Sequence, residues 1–477
     1  MLLFFAMKKI YSAILLLFFS LLVHSSDLQI LFNDSLVNAD GRSVRLLNGS
    51  FYFMGNAEDS AGFVHTVLTK LDKEGNVLWW KVYGDSSIYQ APYLNLTDSN
   101  QLIIVNERVS GSNIDFEIMK LDTFGNVLWE HTYGTGPKNE SLKYVEQTSD
   151  KGFISCGFIS QSSLTANDFL IVKFDSAGNI SWQKEYGTNK NDYAKMLQHT
   201  NDGNYIISGD SYNGHDYDNY LLLIDSTGNE IWHRVIGDIN DNGNQTVMIN
   251  HAGDFILCGE STTAGSFEFD IYLAAISAQG NFLWSRYMGG NGSDAGFAIT
   301  ENSAHQYFIT GYSSSIYNGA PYTAYLLKLD SAFHPISLKY LPQPDLTICY
   351  DEIMLNDSSF ALAGTSGSNF YLALISDSGF TDNFIEHDLV SNVSSSTSSS
   401  FEVKVFKSSS DVLQVKIVST QNFSDNEFEL FDVCGRLLFK KQFSDLLSVD
   451  LCRFETSCFV WSVEDEKGNV QAGKFIK

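Results

Sequence analysis

The strongest constraint on this chain is that it repeats itself. A tryptophan preceded by a Gly-Asn turn returns at Trp79, Trp129, Trp182, Trp232 and Trp284, at intervals of 50, 53, 50 and 52 residues. The reference copy is Leu121-Asp122-Thr123-Phe124-Gly125-Asn126-Val127-Leu128-Trp129, and it is matched by Leu71-Asp72 to Trp79, Phe174-Asp175 to Trp182, Ile224-Asp225 to Trp232 and Ile276-Ser277 to Trp284. A period of this length marks a supersecondary unit that cannot bury its apolar face alone and must stack on its neighbours.

The runs within a unit are short. Unit three divides into four, Ile180 to Tyr186, Lys195 to His199, Tyr205 to Gly209 and Tyr220 to Ile224, with Gly187 to Asp192 between the first two, which suits strands and not helices. Continuous rather than alternating hydrophobicity implies strands covered on both faces, the situation of a blade held between two others. A strand closed by a small residue recurs at Gly55, Gly157, Gly209, Gly259, Gly311 and Gly364, with Asn106 in one unit. The strand after it can be counted seven times, from Val64–Leu71 to Phe370–Ile375. The expected fold is therefore all-β: a seven-bladed β-propeller over residues 27–388, followed by a small C-terminal β-sandwich over 401–477. On this division the first unit lacks the tryptophan, and the seventh replaces the Gly-Asn turn with Phe333-His334-Pro335. Leu28 to Phe32 is expected beside the last unit, closing the ring, with the allocation of strands to blades left open.

The turn Asp-x-x-Gly-Asn has a physical reading. The carboxylates of Asp72, Asp122, Asp175 and Asp225 cap backbone N–H groups, the glycine takes a positive φ, and the next strand buries its tryptophan. Five residues beyond each tryptophan is a glycine, and five beyond that stand Asn139, Asp192, Asn242 and Asp294 in four units. With the strand-leading Asp115, Asp168, Asp218 and Asp270 these crowd the loops with oxygen atoms, for which turn capping is the economical explanation. Asp238, Asn240 and Asn242 fit the first half of a calcium loop, but position twelve is Ile249 where the bidentate glutamate belongs.

Composition excludes some functions. A net charge of −26 repels nucleic-acid phosphate, and no basic stripe offsets it. Lys8-Lys9, the apolar run Ala13 to Val23 and Ser25-Ser26 form the n-region, h-region and cleavage site of a secretory signal over 1–25. That run is too short to span a bilayer comfortably, and no transmembrane segment is expected in the mature chain. Either Met1 or Met7 serves as the start. Cys156 and Cys258 occupy one repeat position where other units carry small or apolar residues, so buried free thiols suffice there; pairing among Cys434, Cys452 and Cys458 is not assignable from spacing.

No G-x-S-x-G elbow, H-E-x-x-H pair or phosphate-cradling loop occurs, and the ten histidines show no ligand spacing. His131 and His233 read as surface or packing residues. No cofactor is expected. Residues 389–400, mostly serine, form a linker, and beyond it 12 acidic and 10 basic residues leave nearly all the negative charge on the propeller.

Two resemblances follow from these strings. The D-x-x-G-N-x-x-W pattern resembles the tryptophan-docking repeat of quinoprotein-like propellers, in which the indole wedges between blades; the adjacent cysteine pair and eighth blade of the quinone dehydrogenases are missing. Phe428-Glu429-Leu430-Phe431-Asp432-Val433-Cys434-Gly435-Arg436-Leu437-Leu438, Ser448-Val449-Asp450-Leu451, and Lys467-Gly468 with Lys474-Phe475-Ile476-Lys477 together resemble the type A C-terminal sorting domain of the type IX secretion system. The family's asparagine-proline pair near the domain start and its glycine before the last aromatic strand are replaced. This resemblance implies a Gram-negative source and, as partners, the type IX machinery and its sortase-like peptidase. It also implies an extracellular or outer-membrane-surface location after signal-peptide cleavage. The expected role is a binding module for a glycan or protein; the alternative is an extracellular hydrolase or oxidoreductase on the same scaffold.

Overall fold

The computed structural model describes residues 28–388 apart from 34–36, 60, 85–87, 112, 135, 137, 161–166, 189, 213–214, 238–241, 263–267, 291, 316–321, 342–344 and 377–382, and then strand segments from 402 to 476. The segment 1–25 expected to be a secretory signal, the expected serine-rich linker, Asp238, Asn240, Gly435, Arg436, Lys467 and Gly468 lie outside the described residues. Two compact units are present, 1–390 and 391–477.

The first unit is a seven-bladed propeller. Blades one to six are antiparallel four-stranded sheets in sequence order, beginning with Val37–Leu47, Ser50–Glu58, Val64–Leu71 and Val77–Tyr83. Their inner strands are Val37–Leu47, Ile88–Leu96, Glu140–Gln147, Asn191–His199, Asn242–Ile249 and Asp294–Glu301. Blade seven is built from Thr347–Asn356, Ser359–Ser366 and Asn369–Ser376, and Leu28–Asn33 pairs antiparallel with the last of these, so the start of the chain completes the final sheet. Asn383–Asp388 then adds parallel to Leu28–Asn33.

Successive side chains of a central strand serve different neighbours. Tyr205 and Ile207 of blade four pack with Ile154, Cys156 and Phe169 of blade three, whereas Ile206 packs with Phe255, Leu257 and Tyr272 of blade five. With both faces covered, no position in such a strand is left for a solvated side chain, which is why these runs read as continuously apolar. Cys156, Cys258 and Cys349 are buried and free, and burial pushes each thiol well above its ordinary value.

Strand allocation refines the sequence division in two respects. The run Lys195 to His199 starts earlier than expected, in the strand Asn191–His199, which is interrupted by a bulge between Ala194 and Met196. The Asp-x-x-Gly-Asn turn is a hairpin within a blade, so the tryptophan that follows it lies on that blade's outer strand. Blade one therefore owns Trp79, and blades six and seven are the ones without a tryptophan.

The tryptophans are half-buried, each indole lying on the turn of the neighbouring blade. A Cβ placed on Gly178 would stand 2.6 Å from the ring of Trp129, on Gly228 2.9 Å from Trp182, and on Gly280 3.1 Å from Trp232. Gly125 meets Trp79 in the same way. The outer strand also sends a cation or phenol to that turn: Lys184 Nζ donates to Gly228 O at 2.8 Å, Arg234 Nε to Gly280 O at 2.9 Å, and Tyr133 Oη to Gly178 O at 2.8 Å. At the closure Gly75 meets Ile30 and Leu28 in place of an indole. In blade six the glycine position holds Phe333 at φ 62°, costly for a bulky residue; its ring stacks on Tyr307 at 4.0 Å and meets Trp284 at 4.6 Å.

The second unit has a sheet of Glu402–Lys407, Val412–Val418 and Leu446–Asp450, and a sheet ordered Leu437–Phe443, Asn426–Asp432, Cys458–Glu464, Val470–Ile476. Phe428, Leu430 and Val449 are buried. Asp432 ends the second strand of the larger sheet and Lys474 lies in its last. Among the described residues no helix is long and apolar enough to cross a membrane.

Candidate functional site: the bulged ring of the central channel

Each inner strand carries a bulge at the corresponding place. Pairing skips between Gly41 and Ser43, Gln90 and Tyr93, Leu142 and Tyr144, Ala194 and Met196, Asn244 and Thr246, Gly296 and Ala298, and Cys349 and Asp351. A bulge leaves one residue unpaired and re-aims its side chain. The unpaired residues are Arg42, Ala91 with Pro92, Lys143, Lys195, Gln245, Phe297 and Tyr350, and together they line an open cavity of about 300 Å³ to which all seven blades contribute.

The second strand makes room for the bulge. A Cβ on Gly209 would lie 1.9 Å from Tyr193 O, and one on Gly157, Gly311 or Gly364 would meet Ser141, Ala295 or Ile348 O at 2.0, 1.9 and 1.9 Å. Blade two has Asn106 at this position, and there alone among the seven the skip spans two residues, Ala91 and Pro92. Asn106 is held instead by Thr66 Oγ1 at 3.1 Å and by Glu117 at 3.2 Å.

The ring is cationic on one side and aromatic on the other. Arg42 pairs with Asp40 and lies 4.3 Å from the Tyr350 ring centroid. Lys143 pairs with Glu107, which also accepts from the Ser141 hydroxyl, and Lys195 pairs with Asp210 at 2.5 Å. Phe297 packs edge-on against Tyr350 at 5.2 Å. Gln245 Nε2 reaches Glu260 Oε1 at 3.5 Å, and Tyr312 Oη donates to Glu260 Oε2 at 3.2 Å. Burial raises the Glu260 carboxyl, Lys195 and the Tyr312 hydrogen bond oppose this, and Asp210 adds to it. Three residues further along the inner strand of blade one, Arg45 joins four blades: Nη1 donates to Asp351 Oδ2 at 2.6 Å, Nη2 to Tyr93 Oη, and the Tyr93 ring lies 4.5 Å from that of Tyr144.

The residues singled out from the sequence lie elsewhere. Trp79, Trp129, Trp182, Trp232 and Trp284 sit on outer strands, and Asp72, Asp122, Asp175 and Asp225 in the turns that lead to them, so the structure does not bring them into one site. Each aspartate accepts from its own turn; Asp225 Oδ1 accepts from Asn229 N at 2.8 Å and Thr227 Oγ1 at 2.7 Å, which holds its carboxyl well below the ordinary range. The loop acids cap the links between blades: Asp294 Oδ2 accepts from Gly290 N at 2.9 Å, and a Cβ on Gly289 would strike Asp270 Oδ1 at 1.8 Å. Of the calcium candidates only Asn242 is described; it is buried, and its Oδ1 accepts from Ser261 Oγ at 2.9 Å.

The channel residues carry no recurring motif. Their only sequence signal is position: Lys143, Lys195, Gln245, Phe297 and Tyr350 are spaced by 52, 50, 52 and 53 residues, the period of the tryptophans, while the chemistry runs from two lysines to an amide and then two aromatic rings.

No family model matches the chain, and no curated protein matches it. Among solved structures, the polysaccharide lyase Uly1 aligns with 71% of this chain and 90% of its own, at 11% identity and a TM-score of 0.46. A polysaccharide lyase of family PL25, an ulvan lyase solved with -[GlcA(1-4)Rha3S]- bound, aligns with 70% of this chain and 92% of its own, at 10% identity and a TM-score of 0.48. PorZ, described as an essential surface component of the type IX secretion system of Porphyromonas gingivalis, aligns with 94% of this chain and 69% of its own, at 9% identity and a TM-score of 0.35. At these identities the likeness concerns architecture alone.

Proposed function

We propose that this protein is an exported glycan-binding propeller whose ligand enters the bulged ring of the central channel, and whose residues 401–477 are a type IX sorting domain. The binding half rests on one observation: seven blades each unpair a residue at the same level, and those residues supply ammonium, guanidinium, amide and aromatic groups to a single cavity of about 300 Å³. Donors for hydroxyls beside aromatic faces for C–H surfaces are what saccharide recognition requires, and the volume is at the lower end for ligand pockets. Arg42, Lys143 and Lys195 are each matched by a carboxylate, and the chain carries −26 overall, so a neutral saccharide fits better than a polyanion.

A glycan array probed with the purified protein tests this reading. Binding to a neutral saccharide should weaken at least about tenfold in Lys143→Ala and in Tyr350→Ala, the scale of losing one charge-assisted hydrogen bond or one stacking face. Binding unchanged in both variants would remove the site. Hydrolysis is the second reading, favoured by Glu260, a carboxyl raised by burial near the channel and coupled to Asp210. Turnover of a bound saccharide that disappears in Glu260→Gln would select it.

The export half is supported by the N-terminal Lys8-Lys9 and apolar run, by the three C-terminal strings, and by the compact unit 391–477. Removal of residues 401–477 should leave the protein in the periplasm; surface display of the truncated chain would overturn the assignment.

A further inference from the structure

We propose that His251, Glu301 and His305 form a binding site for a first-row divalent transition-metal ion at the joint between blades five and six. The three ligand atoms lie within 4.8 Å of one another. Glu301 is the last residue of blade six's inner strand, and His305 sits in the turn that follows it. His251 comes from the corresponding turn of blade five. Both histidines direct Nδ1 at the same oxygen: Glu301 Oε1 is 2.5 Å from His251 Nδ1 and 2.9 Å from His305 Nδ1. The imidazoles stack with centroids 3.6 Å apart, and His251 N donates to Glu301 Oε2 at 2.9 Å, which fixes the carboxylate.

The spacing suits the chemistry. Ligand atoms about 2.0–2.2 Å from a tetrahedral zinc ion stand roughly 3.3 Å apart, so to admit one the His305 pair opens by about 0.4 Å and the His251 pair by about 0.8 Å, movements within reach of two exposed imidazoles. Two imidazoles and one carboxylate suit zinc, copper or nickel over calcium or magnesium, whose ligands are oxygen atoms. Three protein ligands leave a fourth position for water. The His251 and His305 side chains are 42% and 48% exposed, which gives an ion direct entry, while Glu301 is 11% exposed and fixed by its strand.

Comparison along the chain argues against an ordinary surface contact. The same joint between blades two and three holds an ion pair, Lys151 Nζ to Asp98 Oδ2 at 2.5 Å, with Asp98 at the turn position of His251 and Lys151 at that of His305. Lys151 and His305 both have positive φ, 68° and 57°, so the backbone frames correspond. An ion pair meets the demand of the joint, and blades five and six carry metal-ligating side chains there instead.

The test uses the full chain without an affinity tag, zinc chloride as probe, a chromophoric chelator for affinity and stoichiometry, and thermal unfolding. The wild type should bind one zinc ion at this site and gain about 2–4 °C in melting temperature at a hundredfold excess over Kd. The double variant His251→Asp/His305→Lys rebuilds the blade two–three ion pair; it should fold normally and lose that zinc. Glu301→Gln should bind at least about tenfold more weakly. A wild type that takes up no zinc at about 1 mM, or variants that retain it undiminished, would overturn the proposal.

Discussion

Gly209→Ala is expected to lower the stability of the propeller by about 3–4 kcal/mol, near the top of the range for adding one methyl group. The new Cβ would lie 1.9 Å from Tyr193 O and 2.8 Å from Ala194 Cα. Both are backbone atoms, so no rotamer change relieves the overlap, and the inner strand of blade four must move off the sheet at its bulge. Gly203 provides the control. Its φ is +86° but nothing lies within 4 Å of a Cβ there, so Gly203→Ala should cost only about 1 kcal/mol, the penalty of a left-handed backbone. Urea midpoints with unchanged m-values measure both. Equal losses would mean that close approach is not what the position demands.

Glu352→Gln is expected to stabilise the protein at alkaline pH and to change it little near pH 4.5. Glu352 is 5% exposed; Thr300 Oγ1 donates to its Oε1 at 2.9 Å, while its Oε2 is buried without a hydrogen-bond partner. Burial raises its pKa from 4.5 to about 8, opposed by the Thr300 hydrogen bond and assisted by Asp351. Between those values the unfolded chain has released the proton and the folded chain retains it, so folding takes up a proton and stability falls as pH rises through this window. Burial raises Glu146 likewise, to about 7, adding a fall that ends one unit earlier. Glutamine cannot ionise, so the variant should exceed the wild type by on the order of 2–4 kcal/mol at pH 8.5. Parallel stability profiles for the two proteins from pH 4.5 to 8.5 would show that Glu352 ionises normally.

What could be read in advance was local and repeated. The turn from Asp122 to Asn126 declares itself because capping carboxylate, positive-φ glycine and following strand lie within a few residues of one another; its five copies set the period, and the apolar strand counted from Val64–Leu71 to Phe370–Ile375 carries the seven-fold count. The frame of the blades was not legible, since an antiparallel connection reads alike whether it stays within a sheet, as at Asp175 to Asn179, or crosses to the next, as at Gly187 to Lys190. The bulges were invisible for a related reason. Lys195 is unpaired only in relation to Tyr205–Tyr212, and pairing is a property of two strands. Gly209 is the one trace of this in the sequence, since a glycine that closes a strand looks the same whether or not a bulge lies opposite it. The histidines scattered in the sequence because His251 and His305 lie one repeat plus a few residues apart and meet only when blades stack.

These elements fit one account: the outer strands lock blade to blade, the glycines of the second strands permit a bulge in the inner ones, and the bulges deliver unlike side chains to a shared channel, the site proposed above for a saccharide. Covalent labelling of lysines by reductive methylation, read by mass spectrometry with and without saturating saccharide, tests it most directly. Lys143 and Lys195 should be protected several-fold by the ligand, while Lys73, 77% exposed on an outer turn, should label equally in both. Protection at Lys73 with none at Lys143 and Lys195 would place the ligand outside the channel and contradict the account.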